Sequence, residues 1–208
     1  MWDLINEFSI STKIIEDLFD GVETDLEEKV KLNSRKDLLI YSYRVAGTVG
    51  LMMAKILRVN SERGLNSAID LGIAMQLTNI ARDVIEDKKR NREYIDHNII
   101  TIKETLKLAD MFYNSSFKSI REIPISCRFA ILVARRVYRQ IGYEILKKKD
   151  LEDYERAGKI FVTNVGKIKQ TFLSLFDFII LIFLKPVNNS YNLRHEDVNK
   201  EINLNERF

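Results

Sequence analysis

The segment LGIAMQLTNIARDVIEDKKRNREYI, Leu71 to Ile95, sets Asp83 and Asp87 four residues apart. Gln76 and Asn79 lead into the pair, and bases follow it. Residues at i and i+4 share one helix face. Two carboxylates placed so repel by about 0.2–0.5 kcal/mol on an exposed helix, and by more when desolvated. A cation between them removes that cost. Mg²⁺ suits such a site: it takes hard oxygen ligands, often one or two carboxylates, keeps waters, and lets phosphate complete its shell. Mn²⁺ suits the same donors. Asn79 and Gln76 add amide oxygens or donors, while Arg82 and Arg92 can meet phosphate charge. An isolated pair of acids at this spacing also describes an ordinary solvated face, so spacing alone leaves both readings open.

The helix that positions the pair is predicted over about 61–90. Ile69, Ile73, Gln76, Ile80, Asp83 and Asp87 fall on one stripe, with Gly72 and Asn79 beside it. From Ile69 to Asp83 the rise is about 21 Å at ~1.5 Å per residue, so the helix can line a slot with a greasy depth and an ionic mouth. A second segment, YSYRVAGTVGLMMAKIL from Tyr41 to Leu57, puts Tyr41, Val45, Thr48 and Met52 on one face. Ala46, Gly47 and Gly50 keep its middle small, which serves either a close helix crossing or room for a ligand. Tyr41 offers a hydroxyl at the rim, and a buried core tyrosine is the alternative.

The chain has 208 residues, of which 46% are hydrophobic, with two prolines and eight glycines. Few breakers and long amphipathic runs predict an all-α protein. Helices are expected at about 4–30, 35–57, 61–90, 101–121, 125–147 and 152–184. Ser34 with Asp37 and Asn60 with Ser61 are placed to cap the second and third. A net charge of +3 from 33 basic and 30 acidic residues gives no argument for nucleic acid. A single Cys127 and an N-terminus without a basic-then-apolar start predict a cytoplasmic chain. The run TFLSLFDFIILIFLK, Thr171 to Lys185, is short of the ~20 residues a spanning helix needs. It reads as a buried last helix or as a peripheral contact, at the inner membrane surface. After Pro186 the polar, asparagine-rich sequence predicts a loose tail. The expected division is therefore 1–185 for the domain and 186–208 for the tail.

These segments resemble signature segments of the squalene/phytoene synthase family, in the wording of its bacterial phytoene synthases. IPISCRFAILVARRVYRQIG and YERAGKIFVTNVGKIKQ resemble later segments in the same order. The resemblance implies an all-α isoprenoid (terpenoid) synthase-type bundle around a central cavity. It implies Mg²⁺-dependent head-to-head condensation of two geranylgeranyl diphosphates, through prephytoene diphosphate, to phytoene in carotenoid biosynthesis. The alternatives are a squalene synthase-type enzyme using farnesyl diphosphate, and a non-catalytic assembly factor or lipid-binding scaffold. By resemblance, Asp83 and Asp87 hold the metal, and Gln76, Asn79 and Arg82 are the polar lead-in. Tyr41 handles a proton or stabilises a cation. Arg92 and Tyr94 face phosphate, and Val45 and Tyr154 contact substrate. The family's first aspartate-rich motif is not matched, and Asp20 and Asp25 fall after its place. The expectation is a domain that is incomplete at its N-terminal side, with a separate chain as one possible source of the missing helices.

Overall fold

The structure, a computed structural model, describes residues 2–184 and 192–208. It is built almost wholly from helices: α1 (Trp2–Glu7), α2 (Thr12–Thr24), α3 (Arg35–Ser42), α4 (Thr48–Ile56), α5 (Glu62–Lys88), α6 (Ile99–Ser116), α7 (Ile125–Leu146), α8 (Leu151–Ala157), α9 (Asn164–Phe183) and α10 (Asn192–Asn199). A π-helical turn, Tyr43–Gly47, joins α3 to α4, so the expected helix at 35–57 is one path with a widened turn in it. π turns of this kind recur at functional sites. The expected caps form. Ser34 Oγ accepts from Asp37 N–H, and Ser61 Oγ accepts from Gly64 N–H.

α5 is the central element. It packs on α4 and the π turn on one side and on α6 and α7 on the others. Ile69, Ile73, Ala74, Leu77 and Ala81 along it are fully buried. At two points α5 crosses its neighbour backbone against backbone. A Cβ on Gly72 would lie 2.3 Å from the carbonyl oxygen of Ala46, and one on Gly50 would lie 2.3 Å from that of Ala68. Neither neighbour is a side chain that can swing away.

Two short strands, β1 (Val30–Lys31) and β2 (Arg92–Glu93), pair in parallel. Val30 N–H donates to Asn91 O, and Leu32 N–H donates to Glu93 O. The pairing ties the chain leaving α2 to the chain leaving α5. Asn91 turns the latter with φ +59°, a conformation asparagine tolerates.

Three expectations are corrected. The helix predicted at 4–30 is two helices, because Ser9 takes φ +50° and breaks the path between α1 and α2. The helix predicted at 152–184 is also two. Gly158 at φ +63° ends α8, and extended chain leads to α9. The polar tail is not loose where it is described. His195, Val198, Ile202 and Leu204 are buried, and Arg207 grips Asp17 with two hydrogen bonds of 2.9 and 3.0 Å. Asparagine-rich composition hid a segment in which Val198, Ile202 and Leu204 face the core. The expected domain boundary at 185–186 lies outside the described residues.

The crossing generates a stability test. Gly72→Ala is expected to lower unfolding free energy by about 1–3 kcal/mol through overpacking. Gly142→Ala meets one flexible leucine tip at 3.2 Å and is expected to cost less. Urea midpoints of the two variants check this.

Candidate active site

The C-terminal half of α5 carries Gln76, Asn79, Asp83 and Asp87 on one face, all half-buried. Asn79 Oδ1 is buried and has no hydrogen-bond partner among the described residues. Asp83 is gripped by its neighbour: Arg82 Nε and Nη2 donate to its two oxygens at 2.8 and 2.5 Å. Lys159 adds an ion pair at 3.2 Å and reaches Glu86 at 3.4 Å. Gly158 makes the turn that delivers this lysine. Burial pushes the Asp83 carboxyl up, but the Arg82 hydrogen bonds and charge and the Lys159 contact outweigh it and hold the group below its ordinary value. Asp87 behaves oppositely. Burial, then the Asp83 charge, push it from 3.8 to about 6, although Arg92 and Arg90 pull it down.

A second cluster adjoins the first through Arg92. Its Nη2 donates to the backbone oxygen of Asp25 at 2.7 Å. The Asp25 carboxylate, at the C-terminal cap of α2, accepts from Tyr41 Oη at 2.9 and 3.0 Å and from Tyr94 Oη at 2.6 Å. The two tyrosine rings stack with centroids 4.8 Å apart. Burial is the main cause that pushes both hydroxyls well above the ordinary tyrosine range, and the neighbouring Asp25 carboxylate adds to it. Both stay protonated donors at neutral pH.

An apolar cavity of about 350 Å³ lies beside the N-terminal half of α5. Val45, Val49 and Met53 line it from the π turn and α4, and Ala68, Leu71, Gly72 and Met75 line it from α5. Here one expectation is corrected. Ile69, Ile73 and Ile80 do not line the slot. They are buried in the core, and the lining comes from the flank of the stripe that begins at Ala68. Gly72, Gln76, Asn79 and Asp83 still connect the two ends, because steps of three and four residues hold them within about 60° of one another.

Of the residues singled out from the sequence, Tyr41, Tyr94 and Arg92 gather around Asp25, and Asp83, Asp87, Arg82, Asn79 and Gln76 share one stretch of α5. Val45 lines the cavity. Tyr154 is placed differently. It is buried, and its hydroxyl is turned to the backbone oxygens of Ala81 and Arg82 at 3.0 and 2.7 Å. It braces the acidic turn of α5 and does not line the apolar cavity. Asp25 and Lys159 were missed. Asp25 sits in an unpatterned run after a helix, and only its neighbours in space give it a role. Lys159 follows a glycine turn, a weak signal that carries no direction.

The donor set suits a hard divalent cation: two carboxylates, one of them raised by burial and by the other's charge, and an unpartnered buried amide oxygen. Among the described residues no cluster of three or more acidic, histidine or cysteine side chains forms a closed site. A cation here would keep open positions for ligand oxygens.

Asp87 predicts a pH dependence. Its folded pKa is raised, so its contribution is fully present below about 4 and is lost as pH rises through 6. Asp87→Asn is therefore expected to stabilise the metal-free protein at pH 7.5 by about 1 kcal/mol after solvent screening. That gain should vanish near pH 4, and denaturant midpoints at the two pH values check it. Asp25→Ala removes the acceptor of two buried hydroxyls and is expected to cost about 2–4 kcal/mol, read from thermal unfolding.

The squalene/phytoene synthase family model matches residues 2–101. The 15-cis-phytoene synthase of Paracoccus sp. (strain N81106 / MBIC 01143) is 36% identical and is matched over 72% of this chain and 57% of that protein. The phytoene synthase of Pseudescherichia vulneris is 34% identical, over 65% of this chain and 50% of that protein. A crystal structure of a dehydrosqualene synthase in complex with ligand superposes with a TM-score of 0.66 at 27% identity, covering 81% of this chain and 65% of that one. The chain spans about half the length of the curated relatives it matches. The helical fold, the family match and these relatives agree with the site built above: the chain belongs to the squalene/phytoene synthase family.

Proposed function

We propose that this chain is the diphosphate-handling part of a phytoene synthase-type prenyltransferase that joins two geranylgeranyl diphosphates head to head, by way of prephytoene diphosphate, to phytoene. The observation that carries the reading is that one helix, α5, lines an apolar cavity with its first half and carries a half-buried acidic pair near its end. A prenyl diphosphate has that polarity: a long apolar tail and a compact polyanion. The names of the relatives support phytoene as product.

In this reading Asp83 and Asp87 would hold Mg²⁺, with the unpartnered Asn79 Oδ1 as a neutral donor. The metal supplies positive charge to the departing diphosphate, a contribution of about several kcal/mol in such sites. The residues of the chain do the rest. Arg82 and Lys159, paired with Asp83 in this structure, would be placed to meet diphosphate oxygens were that carboxylate to hold a cation. Arg92 brings a further cation beside Asp87. The apolar walls of the cavity would keep water from an allylic cation. Tyr41 and Tyr94 remain protonated, and their hydroxyls hold the Asp25 carboxylate beside Arg92.

Calorimetric titration of a non-ionisable geranylgeranyl thiodiphosphate into the chain tests this reading. Mg²⁺ is expected to tighten binding at least about tenfold, and Asp83→Asn or Asp87→Asn to remove that gain with the fold intact by circular dichroism. Binding that is indifferent to Mg²⁺ and to both substitutions would overturn the assignment and favour a non-catalytic lipid-binding member of the family. A parallel titration with the farnesyl analogue ranks the two chain lengths.

A further inference from the structure

We propose that the cleft between α6, α7 and α9 is a second anion site, which takes a small free molecule bearing a phosphate or diphosphate group. The cleft holds about 470 Å³ and shares no lining residue with the apolar cavity. α7 divides the two. It gives Ile131 and Ala134 to the cavity and Arg135, Arg136 and Arg139 to the cleft, where α9 adds Lys169. Arginines this close on one helix repel one another, so each gains from negative charge nearby. Arg136 finds it in Asp177, donating from Nε and from Nη2, the latter at 2.7 Å. Arg139 finds it in Asp110, at 2.6 and 2.9 Å. Arg135 has no ion pair among the described residues. It is 4% exposed, and its Nε and Nη2 donate to the backbone oxygen of Tyr113 at 3.1 and 2.8 Å. The centroid of the Phe117 ring lies 4.8 Å from its guanidinium carbon. A carbonyl and a ring face soften the cost of burying this cation but bring no countercharge. Burial, then the charge of Arg139, pulls its guanidinium down to about 10, so it keeps its charge at neutral pH.

Unused donors and unmatched charge select the ligand. Each of the three arginines spends Nε and Nη2 on an internal acceptor and leaves its Nη1 group without one among the described residues. Lys169 is exposed and makes no ion pair among them. Four cations thus stand against the two carboxylates of Asp110 and Asp177, and the surplus is that of a dianion. A phosphate or diphosphate group brings at least that charge, with oxygens that suit guanidinium donors. A single carboxylate ligand brings less. The cleft is larger than one phosphate group, which leaves room for a second or for a small organic remainder. The acidic end of α5 differs in kind, because its carboxylates turn an anion away until a cation is bound. The proposal therefore does not depend on the reaction assigned above.

Calorimetric titration of the full chain with inorganic diphosphate, in EDTA and without divalent cation, tests it. The wild-type chain is expected to bind diphosphate at a single site, and orthophosphate more weakly at the same site. Arg135→Gln keeps a donor for the Tyr113 oxygen but removes the charge, and should weaken binding about 10- to 100-fold. Lys169→Glu reverses an exposed charge and should weaken it at least about tenfold with helicity unchanged. If Arg135→Gln does not fold, Lys169→Glu decides alone. Lys29→Glu, the same change of charge just before β1, should leave binding unaltered. So should Asp83→Asn, which would alter any binding at the acidic end of α5. Absence of binding by the wild-type chain overturns the proposal. Undiminished binding by Lys169→Glu does the same, as does an equal loss in Lys29→Glu or a changed affinity in Asp83→Asn.

Discussion

The close crossing of α5 over the π turn and α4 is the constraint on which the rest of the structure depends. At Gly50 and Gly72 there is no space even for a methyl group. Contact at this range fixes the rotation of α5 about its own axis. That rotation decides which residues line the cavity and which enter the core. It sends Ile69, Ile73 and Leu77 inward and leaves Gly72, Gln76, Asn79 and Asp83 along the open side. A bulkier residue at the crossing would force the helices apart and turn the acidic end out of line.

Once α5 is fixed, electrostatics differentiates two chemically identical side chains. Asp83 has a guanidinium and an ammonium within hydrogen-bonding reach and stays ionised. Asp87 has burial and the charge of Asp83 against it, and is raised. The asymmetry leaves one carboxylate that is satisfied by bases and another that gains most from a cation. The tyrosine pair is organised on the same logic. Asp25 is shared by two phenol donors, and Arg92 ties its backbone to the strand that follows α5.

The periphery serves the same core. The C-terminal residues fold back, and Arg207 satisfies Asp17, which also accepts from Tyr43 at the start of the π turn. His195 reaches Asp70 on α5 at 2.6 Å. Residues distant in sequence thus brace the two elements whose crossing sets the site. α9 by contrast spends one face on α7 and leaves the other apolar and outward.

Much of this was determined by sequence alone. Helix content follows from sparse breakers, and the positions of α5 and α7 follow from unbroken apolar periodicity. The acidic pair and its amide lead-in are local facts of spacing, as are the serine caps, so they are legible in one dimension. Tertiary structure decided the rest. A period of 3.6 cannot say which of two adjoining faces meets the core, so the isoleucines were assigned to the slot and the small residues beside them were the true lining. Asp25, Lys159 and Tyr154 take their roles from partners 16, 76 and 72 residues away. No local pattern encodes such pairings; they exist only after packing has brought separate helices to one place.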